Sequence, residues 1–352
     1  MKTIRIGRKK IGEGKQCFVI AEAGVNHNGK VSIAKKLVDA AVQARADAVK
    51  FQSFKTEELV EKGTAKPAYQ SKALGKKISQ DEMIKSLELK EKDFRELLGY
   101  CKRQGIIFLS TPFDFESADM LEKIGVSAFK IGSGEITNHP LIEHIAAKKK
   151  PVLLSTGMAF MSEVAEAVEL VKKINQKLVL MQCTSSYPAK TENANLLVLH
   201  EYMKRFNCIV GYSDHTLGIN SALAAVALGA KVVEKHITLD RAMRGPDHKA
   251  STEPNEMRKL VEAIREVEAS LGVKEKKPIG KEMELRKLAR KSIFARIKIN
   301  KGERISKRML KIVRPAEGIQ PKFFSRVIGS IAARNIPTGK PVKKIDLSGF
   351  YE

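Results

Sequence analysis

Short apolar runs rich in β-branched residues alternate with amphipathic segments over most of this chain. Eight of these runs have the length of a strand and are almost continuously apolar, at residues 18–23, 48–53, 106–111, 128–132, 152–156, 178–184, 208–213 and 231–236. Segments with a helical period of apolar residues lie between them, for example at 32–44, 162–174, 220–228 and 256–271. Strands buried on both faces and separated by helices are typical of a parallel sheet, and eight such units predict an α/β fold, the (β/α)8 or TIM barrel.

The same pattern also fits an open, doubly wound sheet, because periodicity does not show whether a sheet closes. Doubly wound sheets that bind dinucleotides carry G-x-G-x-x-G after the first strand. Here the first strand is followed by the sequence GVNHNG at residues 24–29, which lacks that glycine spacing. The barrel is therefore the preferred prediction.

Residues 55–89 form an unusually long connection between the second strand and the helix that follows it. The segment is rich in Lys, Glu, Gly and Ser. A connection of this length at the carboxyl end of a strand is either a functional lid or a disordered insertion, and we predict a lid that covers the substrate.

The composition changes after Leu271. Residues 272–280 are charged and marked by Gly and Pro, and short alternating runs with turn signals at 301–303 and 337–340 follow. We predict a barrel domain at residues 1–275, a linker at 276–286 and a small, β-rich domain at 287–352.

The chain is strongly basic, with 64 Lys and Arg against 40 Asp and Glu and a formal net charge of +24. Basic and acidic residues are interleaved, as between Lys85 and Glu96, and aromatic residues make up only 6% of the chain. Because this composition does not match a nucleic-acid-binding surface, we predict phosphate-bearing substrates and a solvated, Lys-rich surface instead.

No apolar run approaches the length of a membrane span or of the core of a signal peptide, which predicts a cytoplasmic protein without a membrane partner. The cysteines are far apart and form no C-x-x-C pair; they are Cys17, Cys101, Cys183 and Cys208. We predict buried, reduced thiols rather than disulfides or zinc ligands.

Polar side chains occur at the carboxyl end of every predicted strand, where barrels of this kind hold their catalytic groups. In chain order they are Glu22, Lys50, Gln52, Ser110, Thr111, Lys130, Ser133, Glu135, Ser155, Thr156, Thr184, Ser185, Tyr187, Ser213, Asp214, His215, Lys235 and His236. A purely structural barrel does not need polar groups at all eight ends, so the pattern indicates an enzyme.

Two kinds of chemistry follow from these residue types. Lys50 and Lys130, together with the hydroxyls, suit a phosphate group, because ammonium groups supply charge and hydroxyls donate hydrogen bonds. His215 and His236 end neighbouring strands and suit a divalent cation that polarises a carbonyl group. Taken alone, Lys50 fits equally well as an interior residue paired with a carboxylate.

The remaining histidines and several methionines have simpler interpretations. His27 lies in a turn and is either functional or a surface cap. The pattern predicts ordinary surface or helix-end positions for His139, His144 and His200, and packing roles for Met158, Met161 and Met257.

The ordered motifs resemble those of the N-acetylneuraminate (sialic acid) synthase family over nearly the whole chain. They are IAEAGVNHNG at 20–29, VKFQ at 49–52, FKIGSGE at 129–135, LSTGM at 154–158, CTSSYP at 183–188, GYSDH at 211–215, EKH at 234–236 and GPDH at 245–248. The segment that carries Arg314-Pro315 and Gly318-Ile319 is similar to the family's antifreeze-like SAF domain.

The resemblance implies an enzyme that condenses phosphoenolpyruvate with an N-acylated mannose-type sugar, such as N-acetylmannosamine, and water. The products would be a nine-carbon 2-keto sugar acid and phosphate. Phosphoenolpyruvate would be held by Lys50, Lys130, Ser133, Ser155, Ser185 and Ser213, with Lys235 also among the substrate-binding residues.

The same resemblance assigns the other roles. His215 and His236 would bind Mn²⁺ or Mg²⁺, and Gln52 and Tyr187 would position the sugar. Glu135 is the preferred acid/base, with Glu22 and Asp247 as rivals. Arg314 matches an arginine that reaches the sugar from the SAF domain of the other subunit, which implies a domain-swapped homodimer.

Three alternatives stay open at this stage. A legionaminate synthase would act on 2,4-diacetamido-2,4,6-trideoxymannose, and the sequences at 22–24 and 66–70 resemble the neuraminate and legionaminate branches more than the pseudaminate one. A Schiff-base aldolase would use Lys50, Lys130 or Lys235. A non-enzymatic protein would use its C-terminal domain to bind ice or glycans, with the barrel as a scaffold.

Overall fold

The computed structural model describes residues 3–65 and 79–350. The sequence at 66–70 that bears on the substrate lies outside these ranges. The chain separates into two compact units, which divide between Gly272 and Val273. Within the described residues, no helix is both long enough and apolar enough to cross a membrane.

The N-terminal unit begins with a two-stranded antiparallel hairpin, β1 (Ile4–Ile6) and β2 (Lys9–Ile11). Eight parallel strands follow: β3 (Phe18–Gly24), β4 (Ala48–Ser53), β5 (Ile107–Pro112), β6 (Phe129–Ile131), β7 (Val152–Ser155), β8 (Leu178–Cys183), β9 (Ile209–Asp214) and β10 (Val232–His236). The prediction of eight barrel strands is confirmed, with ends that differ by at most one residue. The hairpin was not predicted, because its strands have only three residues each.

The order of the strands decides between a barrel and an open sheet. The strands are hydrogen-bonded in the order β5-β4-β3-β10-β9-β8-β7-β6, so the first barrel strand, β3, pairs with the last, β10. Strands β5 and β6, at the ends of this series, lie side by side. A cyclic order of this kind belongs to a nearly closed barrel, and the doubly wound alternative is excluded.

Helices connect the strands, and most of them cover the outside of the barrel. They are α1 (Val31–Gln43), α2 (Thr56–Leu59), α3 (Gln80–Leu87), α4 (Glu91–Gln104), α5 (Phe115–Ile124), α6 (His139–Ala147), α7 (Met161–Ile174), α8 (Val198–Phe206), α9 (Asn220–Ala227) and α10 (Pro254–Leu271). Local chemistry sets their ends: Asp114 caps α5 by accepting a hydrogen bond from the backbone N–H of Ser117, and Gly125 ends the same helix with a positive φ of 88°.

The barrel interior has an apolar layer below and a polar layer above. Side chains alternate between the two faces of each strand, so residues such as Ile20 and Val232 point inward. These residues cluster with Ile4, Ile6 and Ile11 of the hairpin, which covers the amino-terminal end of the barrel. The inward positions nearer the carboxyl ends carry polar side chains instead, and these form the candidate site.

The C-terminal unit contains α11 (Gly280–Ala289), the antiparallel pair β11 (Ser292–Ala295) and β12 (Leu310–Val313), and the short helix α12 (Phe324–Val327). Residues such as Ile293, Val327 and Val342 form its apolar core. Residues 273–352 hold 22 Lys and Arg against 7 Asp and Glu, so this unit carries +15 of the chain's net charge of +24. The basic residues are thus less evenly spread than expected.

Other expectations from the sequence have clear outcomes. All four cysteines are buried and free, as predicted. Met257 is buried and Met161 packs against the core, but Met158 is 72% exposed with a positive φ of 65°, so its predicted packing role is wrong. The backbone conformation turns this side chain away from the core, which a local apolar pattern does not reveal.

Candidate active site

A buried ion pair between β3 and β4 forms the centre of the polar layer. Lys50 Nζ lies 2.9 Å from Glu22 Oε2 and donates a 2.8 Å hydrogen bond to Thr111 Oγ1. The Nε2 group of Gln52 lies 3.4 Å from the other oxygen of Glu22. Lys50 and Glu22 are almost completely inaccessible to solvent, so each charge depends on these partners.

Glu234 on β10 joins a second lysine to this centre. Its Oε1 atom lies 3.6 Å from Lys50 Nζ and 3.6 Å from Lys130 Nζ, and it accepts a 3.4 Å hydrogen bond from Ser213 Oγ. Sequence reasoning missed Glu234 as a site residue. The signal was available, because Glu234 stands two positions before His236 and therefore faces the same side of the strand.

Burial and neighbouring charges shift the protonation of this group in different directions. Burial raises the pKa of Glu22 to about 7, although the adjacent Lys50 acts in the opposite direction. Burial also lowers the pKa of Lys130, and the attraction of Glu234 offsets this only in part. For Lys50, burial lowers the pKa, but Glu22 and Glu234 outweigh it and leave the pKa above its ordinary value.

The two predicted metal ligands lie side by side at the ends of β9 and β10. The ring centroids of His215 and His236 are 5.4 Å apart, and the ring centroid of Tyr187 lies 4.2 Å from that of His215, with the two rings tilted by 37°. His215 Nδ1 lies 2.8 Å from the carbonyl oxygen of Thr184 and therefore carries a proton. Cys183 Sγ lies 3.8 Å from the same nitrogen. Burial lowers the pKa of His215, but its contacts with Cys183 and Thr184 outweigh burial and leave that pKa above its ordinary value.

The histidines fit a metal ion, although they do not enclose one. The buried His236 Nδ1 atom has no hydrogen-bond partner among the described residues. Burial and the positive charges of His215 and Lys50 hold the pKa of His236 well below its ordinary value, so its imidazole is neutral, as a ligand must be. Among residues 3–65 and 79–350, no group of three or more His, Cys, Asp or Glu side chains could hold a metal ion. Water or substrate would therefore complete the coordination.

Hydroxyl groups line the site beyond Lys130. The backbone N–H of Gly157 donates a 2.9 Å hydrogen bond to Ser133 Oγ, and a Cβ atom at position 157 would lie 2.2 Å from Ser185 Oγ. Gly157 therefore allows the two serines to approach one another. On the neighbouring strand end, Ser155 Oγ is buried and has no hydrogen-bond partner in the described residues, so it is available to a ligand.

Two further predicted carboxylates lie on loops. Burial raises the pKa of Asp247 to about 6, and the charge of His215 acts against this rise. Glu135 ends the single-turn helix Ser133–Glu135 and accepts a 2.7 Å hydrogen bond from Asn138 Nδ2. Burial also raises the pKa of Glu135, and no side chain of the lysine–glutamate group contributes to that shift.

Three other residues considered in the sequence do not belong to the lysine–glutamate group. Lys235 faces the outside of the barrel wall, where its Nζ lies 2.7 Å from Asp214 Oδ2 and donates to the carbonyl oxygen of Thr216. Arg314 belongs to the C-terminal unit, directly after β12. His27 is buried rather than a surface cap, and its Nδ1 accepts a hydrogen bond from the backbone N–H of Gly29.

The histidines predicted to lie on the surface or at helix ends have ordinary positions. His139 begins α6, His144 contacts Asp119 at 2.6 Å, and His200 is exposed on α8. None of the three is part of the polar layer of the barrel.

The chain is similar to several known proteins along almost its entire length. It is 46% identical to the N,N'-diacetyllegionaminic acid synthase of Legionella pneumophila over 95% of either chain. It is 38% identical to the human N-acetylneuraminate-9-phosphate synthase, over 91% of this chain and 89% of the human one. The crystal structure of an N-acetylneuraminic acid synthetase from Leptospira borgpetersenii superimposes with a TM-score of 0.73 at 36% identity, covering 81% of this chain and 95% of that one.

Two family models match the two parts of the chain. The SAF domain model matches residues 290–348, within the C-terminal unit. The NeuB family model matches residues 37–276, which include most of the barrel strands and both candidate metal ligands. With its eight-stranded barrel and the relatives named above, this chain belongs to the NeuB family of sialic, legionaminic and pseudaminic acid synthases.

Proposed function

We propose that this chain condenses phosphoenolpyruvate with an N-acylated mannose-type sugar and water, giving a nine-carbon 2-keto sugar acid and phosphate. The observation that carries the proposal is the pair of buried lysines, Lys50 and Lys130, beside the neighbouring His215 and His236. Buried ammonium groups suit an anionic substrate, and two adjacent imidazoles suit a divalent cation, whose binding would displace the second proton of His215.

The residues divide the chemistry between them. Lys50 and Lys130, with the free hydroxyl of Ser155, bind the phosphate and carboxylate groups of phosphoenolpyruvate and orient its methylene carbon. That carbon forms a bond with the aldehyde carbon of the open-chain sugar. Water then adds to the enol carbon, and phosphate leaves as the C–O bond breaks.

A divalent cation held by His215 and His236 would polarise the aldehyde oxygen. Imidazole nitrogen is a better ligand for transition-metal ions than for Mg²⁺, which favours Mn²⁺. The protons are handled by carboxyl groups with pKa values near neutrality: Glu22, at about 7, and Asp247, at about 6, each exchange a proton readily at pH 7. Glu135, the sequence-based choice, remains a third candidate.

The identity of the sugar belongs to the same proposal. The greater identity to a diacetyllegionaminic acid synthase, 46% against 38% for the human neuraminate-type enzyme, favours 2,4-diacetamido-2,4,6-trideoxymannose over N-acetylmannosamine. An assay that couples phosphate release to detection of the nine-carbon acid, run with phosphoenolpyruvate and each sugar in turn, tests this choice. Turnover with neither sugar would refute the proposed function.

One observation favours the aldolase alternative. Schiff-base lysines have a lowered pKa, and burial lowers the pKa of Lys130. Borohydride reduction in the presence of a carbonyl substrate distinguishes the two reactions. A covalent adduct at Lys130 would support the aldolase, whereas EDTA inhibition reversed by Mn²⁺, without an adduct, would support the synthase.

The domain-swapped homodimer implied by the resemblance is also a proposal. Light scattering of the purified protein should give twice the 39.0 kDa mass of one chain. The substitution Arg314→Ala should raise the KM for the sugar more than the KM for phosphoenolpyruvate, because the arginine would contact only the sugar. A monomer with full activity would contradict both expectations.

A further inference from the structure

Glu234 is the one carboxylate in the described part of the chain that contacts both buried lysines of the candidate site. Its Oε1 atom lies 3.6 Å from each ammonium nitrogen and therefore bridges the two lysines. Lys50 has a second carboxylate, Glu22, at 2.9 Å. For Lys130, Glu234 is the only carboxylate within ion-pair distance among the same residues.

The contacts of Glu234 are long enough to leave both lysines able to bind a ligand. A charge-assisted hydrogen bond has a nitrogen–oxygen distance of about 2.7–2.9 Å, well below 3.6 Å. An ammonium group has three donors, and Lys130 has one further contact, a 3.5 Å approach to the carbonyl oxygen of Ile131. An incoming anion would therefore find unused donors on a lysine whose charge is already balanced.

Glu234 also retains an unused acceptor. Its Oε2 atom is buried and has no hydrogen-bond partner among residues 3–65 and 79–350. The side chain is thus held by one oxygen, through the two lysines and Ser213 Oγ, and the other oxygen has no hydrogen bond. A carboxylate that served only to stabilise the fold would be expected to have both oxygens bonded.

We propose that Glu234 is a positioning residue for anion binding: its carboxylate bridges Lys50 and Lys130 and holds both ammonium groups where they bind phosphoenolpyruvate. The inference rests on the proposed function, since it takes phosphoenolpyruvate as the anion. Without Glu234, Lys130 would lose its ion-pair partner while still near the charge of Lys50, and the two lysines would separate.

The test measures binding and turnover of the full chain carrying Glu234→Gln or Glu234→Asp. Glutamine keeps the volume but removes the charge, whereas aspartate keeps the charge on a shorter side chain. Asp47→Asn is a matched control, because Asp47 is a buried carboxylate that contacts two cations, Lys9 at 2.8 Å and Arg265 at 3.2 Å, outside the site.

Calorimetric titration with phosphoenolpyruvate in the presence of Mn²⁺ should show a dissociation constant raised about tenfold to a hundredfold in Glu234→Gln. The increase should be smaller in Glu234→Asp and absent in Asp47→Asn. The KM for the sugar should change by less than about threefold, which separates positioning of one substrate from a general loss of structure.

Unchanged or tighter binding of phosphoenolpyruvate by Glu234→Gln would contradict the positioning role. If Glu234 only opposed anion binding, its removal would make the site more positive, and phosphoenolpyruvate would bind as tightly as before or more tightly. That outcome, or an equal loss in Asp47→Asn, would overturn the inference while leaving the proposed function intact. If the unsubstituted chain did not bind phosphoenolpyruvate, the proposed function itself would fall, and the inference with it.

Discussion

Replacing Lys235 with methionine tests whether this lysine belongs to the substrate site or to the barrel wall. Sequence reasoning counted it among the substrate-binding residues, whereas the structure pairs it with Asp214 on the outer face of β9 and β10. Lys235→Met keeps the length and apolar stem of the side chain but removes its charge.

The size of the effect follows from what remains around Asp214. Removing one partner of a buried ion pair typically costs about 3–5 kcal/mol, because the other charge is left uncompensated. Asp214 Oδ1 would still accept hydrogen bonds from the backbone N–H and the hydroxyl of Thr216, at 2.8 and 2.7 Å. We therefore expect a loss near the lower limit, about 3 kcal/mol, or about 5 °C in melting temperature for a unit of this size.

Thermal unfolding and steady-state kinetics together give the answer. The melting temperature should fall, the KM for phosphoenolpyruvate should stay within about threefold of its original value, and the double variant Lys235→Met/Asp214→Asn should recover part of the lost stability. An unchanged melting temperature with a KM raised about tenfold or more would refute this reasoning and return Lys235 to the substrate site.

Three further predictions concern other parts of the barrel. Burial lowers the pKa of His27 to about 4 from 6.5, so the folded chain binds a proton at this residue less readily than the unfolded chain does. The free energy of unfolding should therefore fall by about 3 kcal/mol as the pH drops from 6.5 to 4. His27→Gln should make the free energy of unfolding less dependent on pH over this range. If the unfolding profiles of the two proteins stay parallel over this range, the explanation is wrong. Gly157→Ala would place a Cβ atom against two serine hydroxyls and should raise the KM for phosphoenolpyruvate with little change in melting temperature; an unchanged KM would remove the serines from the site. EDTA should abolish turnover and Mn²⁺ should restore it more fully than Mg²⁺, whereas full activity after exhaustive chelation would argue against a metal at the paired histidines.

Much of the fold was predictable because buried parallel strands leave a strong pattern of apolar runs. The eight strands, the intervening helices and the polar strand ends all follow from that pattern, and the cyclic strand order then brings the ends together. The hairpin of β1 and β2 was not predictable, since three residues are too few to establish a period. Its role depends on Ile4, Ile6 and Ile11 packing against the barrel interior, which is a long-range contact.

The candidate site was predictable at the level of strand ends but not at the level of strand faces. Lys235 and His236 are adjacent in sequence and were assigned to the same site, yet adjacent residues of a strand point to opposite faces. Applying that alternation backwards from His236 selects Glu234 and rejects Lys235. The partners within hydrogen-bond reach remain beyond sequence reasoning, because the register between strands determines them.

The four charged side chains at the centre of the site are best understood as one unit. Two lysines and two glutamates are buried together, and each would be costly to bury alone. Lys50 contacts both carboxylates and Glu234 contacts both lysines, so the loss of any one member changes the environment of the others. The apolar layer and the hairpin below them exclude water from the amino-terminal end of the barrel, which leaves the carboxyl end as the open side. An arrangement so costly to bury, with unbonded polar atoms on Ser155, Glu234 and His236, is difficult to explain by stability and consistent with a site built to receive a charged ligand.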